Sequence, residues 1–320
     1  MYKSAIKGVG SYLPEKILSN EELSTIVETS DEWIVKRTGI KQRHIAGDNE
    51  SCADIATASA KRTLQNSGID ADSIDAVIVA TTTPDNAFPA VATVVAKNLG
   101  IKKGMAYDVS AACAGFVFAL NSGDNLIKLG QATNVLVIGA EIMSRLMDWK
   151  DRNTCVLFGD GAGCALLSRT EGENYLLSTH IFSNGDYNQD LITKATPNNP
   201  DESMRGIDMD GKAVYKFAVK AMSDAVNVAL DANNYKIEDL NYLVPHQANI
   251  RIIESVGDIL TLSNDKTIIS LSNHANISAA TIPVALDSAV KNGTFKSGDL
   301  IALTAMGAGF SWGSALLKWT

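Results

Sequence analysis

The chain has 320 residues, of which 46% are hydrophobic and 20% are charged. That composition supports a large folded core, in one big domain or two ordinary ones, and excludes a disordered protein. The formal net charge of -8 disfavours nucleic acid as the main partner, because neutralising phosphates requires a basic face.

The four cysteines (Cys52, Cys113, Cys155 and Cys164) show no C-x-x-C pairing and no histidine at zinc-like spacing. We therefore expect neither disulfides nor a structural metal, and a reducing cytoplasm as the location. The first ten residues lack a basic start followed by a long apolar run, and no later stretch approaches roughly 18 apolar residues. Export and a membrane span are both disfavoured.

Short apolar, β-rich segments alternate with longer helical ones along the chain. In chain order, residues 55–67 are helical in pattern, 74–81 and 106–109 strand-like, 115–129 helical and 134–139 strand-like. This alternation predicts an α/β protein with mostly parallel sheets.

The second half of the chain repeats the first. Four pairs of segments match: 73–79 with 239–244, 108–115 with 270–277, 134–137 with 299–302, and 165–167 with 315–317. Their offsets are 166, 163 and 165 residues (241 − 75, 276 − 113 and 300 − 135), then 150 (315 − 165). An insertion of about 15 residues near 141–154 explains the drop.

We predict from this repeat two similar α/β halves, residues 1–170 and 171–320. Each half would bring a strand, a turn and the start of a helix to one shared cleft. Chance likeness among βα units is the alternative explanation.

Cys113 follows a strand and two alanines and precedes a helical pattern. A nucleophile at a helix start faces unpaired N–H groups and the positive end of the helix dipole, which favour a thiolate. The alternative is an inert buried cysteine among small residues, which is the commoner case for such a residue taken alone.

His246 lies just beyond the strand that repeats residues 77–79, at the strand end where parallel sheets bind ligands. His44 lies in a charged stretch and His180 in a strand-like segment, so we interpret both as structural residues. His274 is a rival candidate, since it is two residues from Asn276. Asn276 itself aligns with Cys113 in the repeat, which would place it opposite the thiol; a helix N-cap is its alternative role.

Two glycine-rich segments end the two halves. Residues 307–313 follow the last long strand and are placed to present a backbone N–H to an oxyanion. Residues 158–163 enter a strand and lack the Gly-Lys-Ser ending of a phosphate loop, so we interpret them as a tight structural turn.

With these segments in hand, the chain resembles the β-ketoacyl-acyl carrier protein synthase III family, the initiating condensing enzymes of bacterial fatty acid synthesis. The likeness covers essentially the whole chain, from residues 8–14 to 312–315. Its most specific pieces are TSDEWI at 29–34, RTGI at 37–40, AACAGF at 111–116 and PHQAN at 245–249.

The resemblance implies a thiolase-like fold of two α/β halves in five αβαβα layers. It implies that Cys113 is acylated from an acyl-CoA, with acetyl favoured, while the backbone N–H groups of Cys113 and Ala308 hold the oxyanion. His246 and Asn276 then assist the decarboxylative condensation with malonyl carried on acyl carrier protein. No metal or organic cofactor is implied; coenzyme A enters as a substrate thioester.

The resemblance also implies binding surfaces and a homodimer. Coenzyme A would contact a set of residues on the first half and one on the second: Trp33, Arg37, Thr38, Arg152 and Asn249. The acidic carrier protein would dock on basic residues at the tunnel mouth, namely Lys212, Lys216 and Arg251, which are otherwise ordinary exposed helix residues. Phe88 would cross the dimer interface and limit the partner's acyl pocket, favouring a short primer.

The chain departs from the family pattern twice. Residues 275–278 read Ala-Asn-Ile-Ser where the family commonly has Gly-Asn-Thr-Ser, and residues 307–310 read Gly-Ala-Gly-Phe in place of Gly-Gly-Gly-Phe. Alanine tolerates fewer backbone angles than glycine, so we expect Ala308 to have a negative φ or to carry strain. Neither departure removes a reacting group.

Three other functions are alternatives, and the first two use the same residues. A Cys-His-Asn hydrolase of papain-like chemistry would admit water to the acyl-enzyme. A condensing enzyme of secondary metabolism would share the reacting residues and differ in its primer or acceptor. A catalytically silent carrier-protein binding module would have no need of an intact Cys113, His246 and Asn276.

Overall fold

The computed structural model describes residues 1–194 and 206–320. The strands in these ranges are β1 (Lys3–Tyr12), β2 (Lys16–Ser19), β3 (Gln42–Ile45), β4 (Ala76–Ala80), β5 (Met105–Val109), β6 (Asn134–Ile142), β7 (Asp160–Thr170), β8 (Leu176–Ser183), β9 (Leu191–Ile192), β10 (Asp208–Met209), β11 (Tyr242–Pro245), β12 (Leu300–Gly307) and β13 (Ser311–Lys318). The helices are α1 (Asn20–Leu23), α2 (Asp31–Thr38), α3 (Cys52–Ser67), α4 (Val91–Asn98), α5 (Gly115–Lys128), α6 (Gly211–Ala232), α7 (Ile250–Ile259) and α8 (Thr281–Lys291).

The first large sheet has the strand order β1-β7-β6-β4-β5. β4 pairs in parallel with β5 and β6, while β7 runs antiparallel to β6 and β1. β4 has the sequence Ala-Val-Ile-Val-Ala and is buried at every residue. A continuous apolar run is what a central strand covered on both faces requires.

The second large sheet has the order β11-β12-β13-β8, with β11 and β12 parallel and the other pairs antiparallel. Leu243 on β11 makes an isolated parallel bridge to Thr267, on the side that β5 occupies next to β4 in the first sheet. β8, β13, β12 and β11 therefore repeat the arrangement of β1, β7, β6 and β4. The predicted internal repeat is visible in the topology, while the boundary after residue 170 stays a prediction.

The two sheets and the helices form five layers. α3 and α4 cover the outer face of the first sheet, and α6, with α7 against it, covers the outer face of the second. α5 and α8 lie between the sheets and contact strands of both. This αβαβα arrangement is the one expected from the sequence. Among the described residues, no helix combines the length and apolar character that crossing a bilayer requires.

Glycines in the first sheet, which have no side chain, allow the middle layer of helices to pack close to it. A Cβ on Gly139 of β6 would lie 2.3 Å from the carbonyl oxygen of Ala279, and one on Gly163 of β7 would lie 2.8 Å from the backbone nitrogen of Val284. Both clashes are with backbone, so glycine is required where the chain entering α8 crosses these strands. The start of α8 is thereby fixed against the first half.

The insertion inferred from the repeat lies between β6 and β7. Residues 143–159 join these strands, whereas only residues 308–310 join the equivalent strands β12 and β13. Its predicted start at residue 141 was slightly early, because β6 runs on to Ile142. Asp160 ties this segment down by accepting hydrogen bonds from the Ser144 N–H and the Ala46 N–H, at 2.8 and 2.7 Å.

Candidate active site

One cavity of about 520 Å³ is lined by residues from both halves of the chain. Cys113, His246 and Asn276 all line it. The structure thus brings together the three side chains that the sequence singled out for chemistry. The walls around them include three flexible methionines, Met209, Met222 and Met306.

Cys113 lies in the 3₁₀ turn Ala112–Ala114, which leads directly into α5 at Gly115. Ala112 has a φ of +45°, so the chain turns sharply before the sulfur. Burial raises the pKa of the Cys113 thiol to about 12, although a hydrogen bond with the Ser278 side chain acts in the opposite direction. The expectation that the helix start favours a resting thiolate is therefore wrong: at neutral pH the group is a thiol.

His246 follows β11, and its backbone N–H donates to the Thr304 carbonyl at 2.8 Å. Its Nδ1 lies 2.6 Å from the Thr281 hydroxyl. Burial lowers the pKa of the imidazole to about 3, so the ring is neutral at physiological pH. With Nδ1 engaged, Nε2 is the ring nitrogen that remains for a ligand in the cavity.

The other three histidines have structural surroundings. In His274, Nε2 lies 2.8 Å from the Ser270 hydroxyl and Nδ1 lies 2.7 Å from the Ala275 carbonyl oxygen, so both ring nitrogens are engaged. His180 is on β8, and His44 contacts the Pro14 carbonyl through Nδ1. His246 is the only histidine among the described residues that line the cavity.

Asn276 is held by both its backbone and its side chain. Its N–H donates to the Leu157 carbonyl at 2.9 Å, and its carbonyl accepts the Gly159 N–H at 3.1 Å. Its side-chain oxygen accepts the Ser278 N–H at 2.8 Å. That bond assigns the orientation of the amide and leaves the side-chain NH₂ group to donate to a ligand.

The repeat at the active-site turn has a different register from the one the sequence suggested. Ala112 and Ser278 have φ of +45° and +46°, and the residues before them, Ala111 and Ile277, have ψ of 32° and 37°. The offset is thus 166 (278 − 112), not 163, and Cys113 corresponds to Ala279. Asn276 reaches the cavity from three residues before the equivalent position.

The end of β12 lies against the backbone of Cys113. A Cβ on Gly307 would be 2.6 Å from the Cys113 nitrogen and 3.0 Å from the Ala114 nitrogen. The φ of Ala308 is not positive, so this residue carries no left-handed strain. The next residue, Gly309, has a φ of +129°. The other departure from the family pattern, Ala275, does have a φ of +62°.

The residues expected to bind coenzyme A gather around Trp33. The guanidinium groups of Arg37 and Arg152 lie 4.6 and 5.4 Å from its ring centroid. Trp33, Arg37, Thr38 and Asn249 line the cavity. The Thr38 hydroxyl donates to the Ile34 carbonyl at 2.7 Å, which commits its hydrogen to the end of α2.

The basic residues expected to dock the carrier protein lie in two places. Lys212 on α6 and Arg251 on α7 are exposed and line the main cavity, and Lys216, also on α6, lines a neighbouring cavity of about 500 Å³. Phe88 is 86% exposed and does not line the cavity of its own chain. An exposed aromatic ring of this size is compatible with a partner surface.

Comparison with known proteins shows the family. The model for the 3-oxoacyl-[acyl-carrier-protein] synthase III C-terminal region matches residues 230–319, and that for 3-oxoacyl-[acyl-carrier-protein] synthase III matches residues 107–185. The β-ketoacyl-[acyl-carrier-protein] synthase III of Rhodospirillum centenum is 49% identical over 99% of both chains, and that of Ehrlichia canis is 50% identical over 99% of this chain and all of its own. The chain belongs to the β-ketoacyl-[acyl-carrier-protein] synthase III family.

Solved structures of the synthase III family have the same fold. The Aquifex aeolicus 3-oxoacyl-[acyl-carrier-protein] synthase III superposes with a TM-score of 0.94, at 42% identity, over 99% of this chain and all of that one. The priming β-ketosynthase of the R1128 polyketide pathway gives the same TM-score at 32% identity, over 99% of this chain and 96% of that one. The family resemblance and the thiolase-like fold inferred from the sequence are confirmed, and the chain is a condensing acyltransferase.

Three polar residues next to the reacting groups were missed by sequence reasoning. Thr281 contacts His246, Ser278 contacts Cys113, and the buried Glu141 accepts hydrogen bonds from the Thr83 hydroxyl at 2.6 Å and from the Thr82 N–H. A carboxylate at the end of an apolar strand was the one available signal, for Glu141. Within residues 1–194 and 206–320, no group of three His, Cys, Asp or Glu side chains is arranged to hold a metal ion.

Proposed function

We propose that this chain carries out the first condensation of fatty acid synthesis, joining an acyl group from acyl-CoA, with acetyl as the main primer, to malonyl on acyl carrier protein. The observation that supports it best is the single cavity lined by Cys113, His246 and Asn276, with neutral imidazole and an amide NH₂ available as donors.

In the first half-reaction, the Cys113 sulfur bonds to the acyl carbon and the bond from that carbon to the coenzyme A sulfur breaks. The proton of the resting thiol ends on the departing coenzyme A, so charge balances. The Cys113 and Ala308 N–H groups are the proposed oxyanion donors. Gly307 supports this role because its backbone lies against the Cys113 nitrogen.

In the second half-reaction, the malonyl carboxylate leaves as CO₂ and its bonding electrons form an enolate on the thioester. His246 Nε2–H and the Asn276 amide donate to the enolate oxygen, and the enolate carbon attacks the acyl carbon on Cys113. The Cys113 thiolate leaves and takes up one proton from solvent, so the condensation consumes a proton and charge balances. Loss of CO₂ supplies the carbanion, which fits neutral donors better than a strong base.

The proposed binding sites follow the cavity outward. Trp33 and Arg152 hold the adenine of coenzyme A and Arg37 lies near its phosphates, with Thr38 and Asn249 lining the passage. The acidic carrier protein docks on Lys212, Lys216 and Arg251 by charge complementarity. The enzyme would be a cytoplasmic homodimer in which Phe88 closes the partner's acyl pocket, and it would need no metal or organic cofactor.

The experiment separates the two half-reactions. With radiolabelled acetyl-CoA, Cys113→Ala abolishes labelling of the protein, because the nucleophile is gone. His246→Ala and Asn276→Ala take up label normally but lose formation of 3-oxoacyl carrier protein. Condensation at the parental rate by either variant would refute its assigned role, and release of free acid without CO₂ would favour a thioester hydrolase instead.

A condensing enzyme of secondary metabolism is the second candidate, favoured by the likeness to the priming β-ketosynthase of a polyketide pathway. The reacting residues would be the same, and the primer would differ. A panel of acyl-CoA primers of increasing length, assayed with malonyl carrier protein, distinguishes the two. A clear preference for acetyl supports fatty acid initiation, and a preference for a long or branched primer overturns it.

A further inference from the structure

Thr281 is the first residue of α8, is fully buried, and contacts His246 at Nδ1. Its hydroxyl oxygen lies 2.6 Å from His246 Nδ1. The same oxygen accepts the Gln247 N–H at 3.3 Å and lies 3.1 Å from the Ser278 carbonyl oxygen. The hydroxyl has one hydrogen, and two acceptors lie within its reach.

The distances and the existing partners decide where that hydrogen goes. The Ser278 carbonyl already accepts the backbone N–H of Thr281, so it has a partner without the hydroxyl. His246 Nδ1 is at the shorter distance, and it is a buried ring nitrogen that would otherwise be left without a hydrogen bond, which is unfavourable. The arrangement therefore favours donation from the Thr281 hydroxyl to Nδ1.

An imidazole that accepts at Nδ1 carries its hydrogen on Nε2. We propose that Thr281 is a positioning residue that holds His246 as the Nε2–H tautomer, oriented to donate to the thioester oxygen of the second substrate. This rests on the proposed function, in which Nε2–H stabilises the enolate. The Gln247 N–H fixes the hydroxyl from the other side, because it occupies a lone pair of the oxygen and turns the hydrogen toward the ring.

The test compares Thr281→Val, which keeps the shape and removes the hydroxyl, with Thr281→Ser, which keeps the hydroxyl. Thr63→Val is the matched control, since Thr63 is also a fully buried helical threonine, bonded to the Ser59 and Cys164 carbonyls far from His246. The tautomer is read from ¹⁵N-histidine NMR of the whole enzyme at neutral pH. Acylation by acetyl-CoA and condensation with malonyl carrier protein are measured separately.

We expect Thr281→Val to lose the single Nε2–H signature of His246 and to condense about tenfold more slowly, with acylation unchanged. Thr281→Ser recovers both properties, and Thr63→Val leaves both as in the parent. An unchanged His246 spectrum in Thr281→Val, or an equal loss of both half-reactions, overturns the proposal. Should the valine variant fail to fold, Thr281→Ala provides the same comparison with serine.

Failure of this inference is distinguishable from failure of the proposed function by including His246→Ala. When His246→Ala loses condensation and Thr281→Val does not, the role of His246 stands and that of Thr281 falls. When His246→Ala condenses at the parental rate, the proposed function itself is wrong at that residue.

Discussion

Gly307→Ala tests whether the end of β12, in the second half, fixes the proposed oxyanion donor of the first half. A Cβ at this position would lie 2.6 Å from the Cys113 nitrogen, where ordinary contacts begin at 3.4 Å. To reach an ordinary contact, one of the two backbones must therefore move by about 0.8 Å (3.4 − 2.6). A misplacement of about 1 Å at a reacting centre costs on the order of 100-fold in rate.

The assay follows acylation of Cys113 by acetyl-CoA with intact-protein mass spectrometry, alongside thermal unfolding of the same sample. Gly185→Ala is the matched control, because a Cβ there meets nothing within 4 Å and the residue is not at a positive φ. We expect Gly307→Ala to be acylated about 100-fold more slowly than the parent, whereas the control is acylated at the parental rate. A folded Gly307→Ala protein acylated within about threefold of the parent would refute the reasoning.

Two further predictions concern buried titratable groups. The charge of Glu141 adds to burial in raising the pKa of Cys113, so Glu141→Gln should lower that pKa. The pH midpoint of Cys113 alkylation by iodoacetamide should then shift downward. An unchanged midpoint would contradict the role of Glu141. Burial lowers the pKa of His274 to about 4. The unfolded chain therefore binds an extra proton as pH falls from about 6.5 to 4, and the parent should lose stability there by about 1.4 kcal/mol per pH unit relative to His274→Gln. Urea unfolding measures the free energy of unfolding of both proteins across this pH range. If the difference between the parent and His274→Gln does not change with pH, that contribution is excluded.

Much of the fold could be predicted because strand and helix patterns are local. The repeat of residues 73–79 at 239–244 indicated β4 and β11, and each of these strands pairs in parallel with a longer neighbour, β6 and β12 respectively. The offsets predicted an insertion near residues 141–154, and the segment that joins β6 to β7 is 143–159. These features depend on periodicity and chain length, which the sequence states directly.

The charge state of the nucleophile could not be predicted, because it depends on distant residues. A helix start favours a thiolate, and local sequence gives no sign of what covers it. In the fold, burial dominates and raises the pKa of Cys113 to about 12, with the charge of Glu141 adding to the effect. Tertiary burial outweighs the helix end here.

The grouping of Trp33, Arg37 and Arg152 illustrates a different limit. Arg37 lies one helical turn from Trp33 on α2, so their contact is expected from local spacing. Arg152 comes from the 143–159 segment and is held by the Glu28 carbonyl at 3.2 Å. Only the family resemblance pointed to that second arginine, because no periodicity relates the two segments.

The corrected register of the repeat explains how two equivalent turns acquired different tasks. In the first half, the turn at Ala112–Ala114 puts Cys113 into the cavity. In the second, the equivalent residue is Ala279, which is 1% exposed and whose backbone lies over Gly139. An alanine in this place supplies no nucleophile.

The second turn instead contacts each reacting group. The Ser278 side chain hydrogen-bonds the Cys113 thiol, and its N–H holds the side-chain oxygen of Asn276. Three residues later, Thr281 holds His246. A duplicated backbone therefore supplies the sulfur from one copy and its supports from the other.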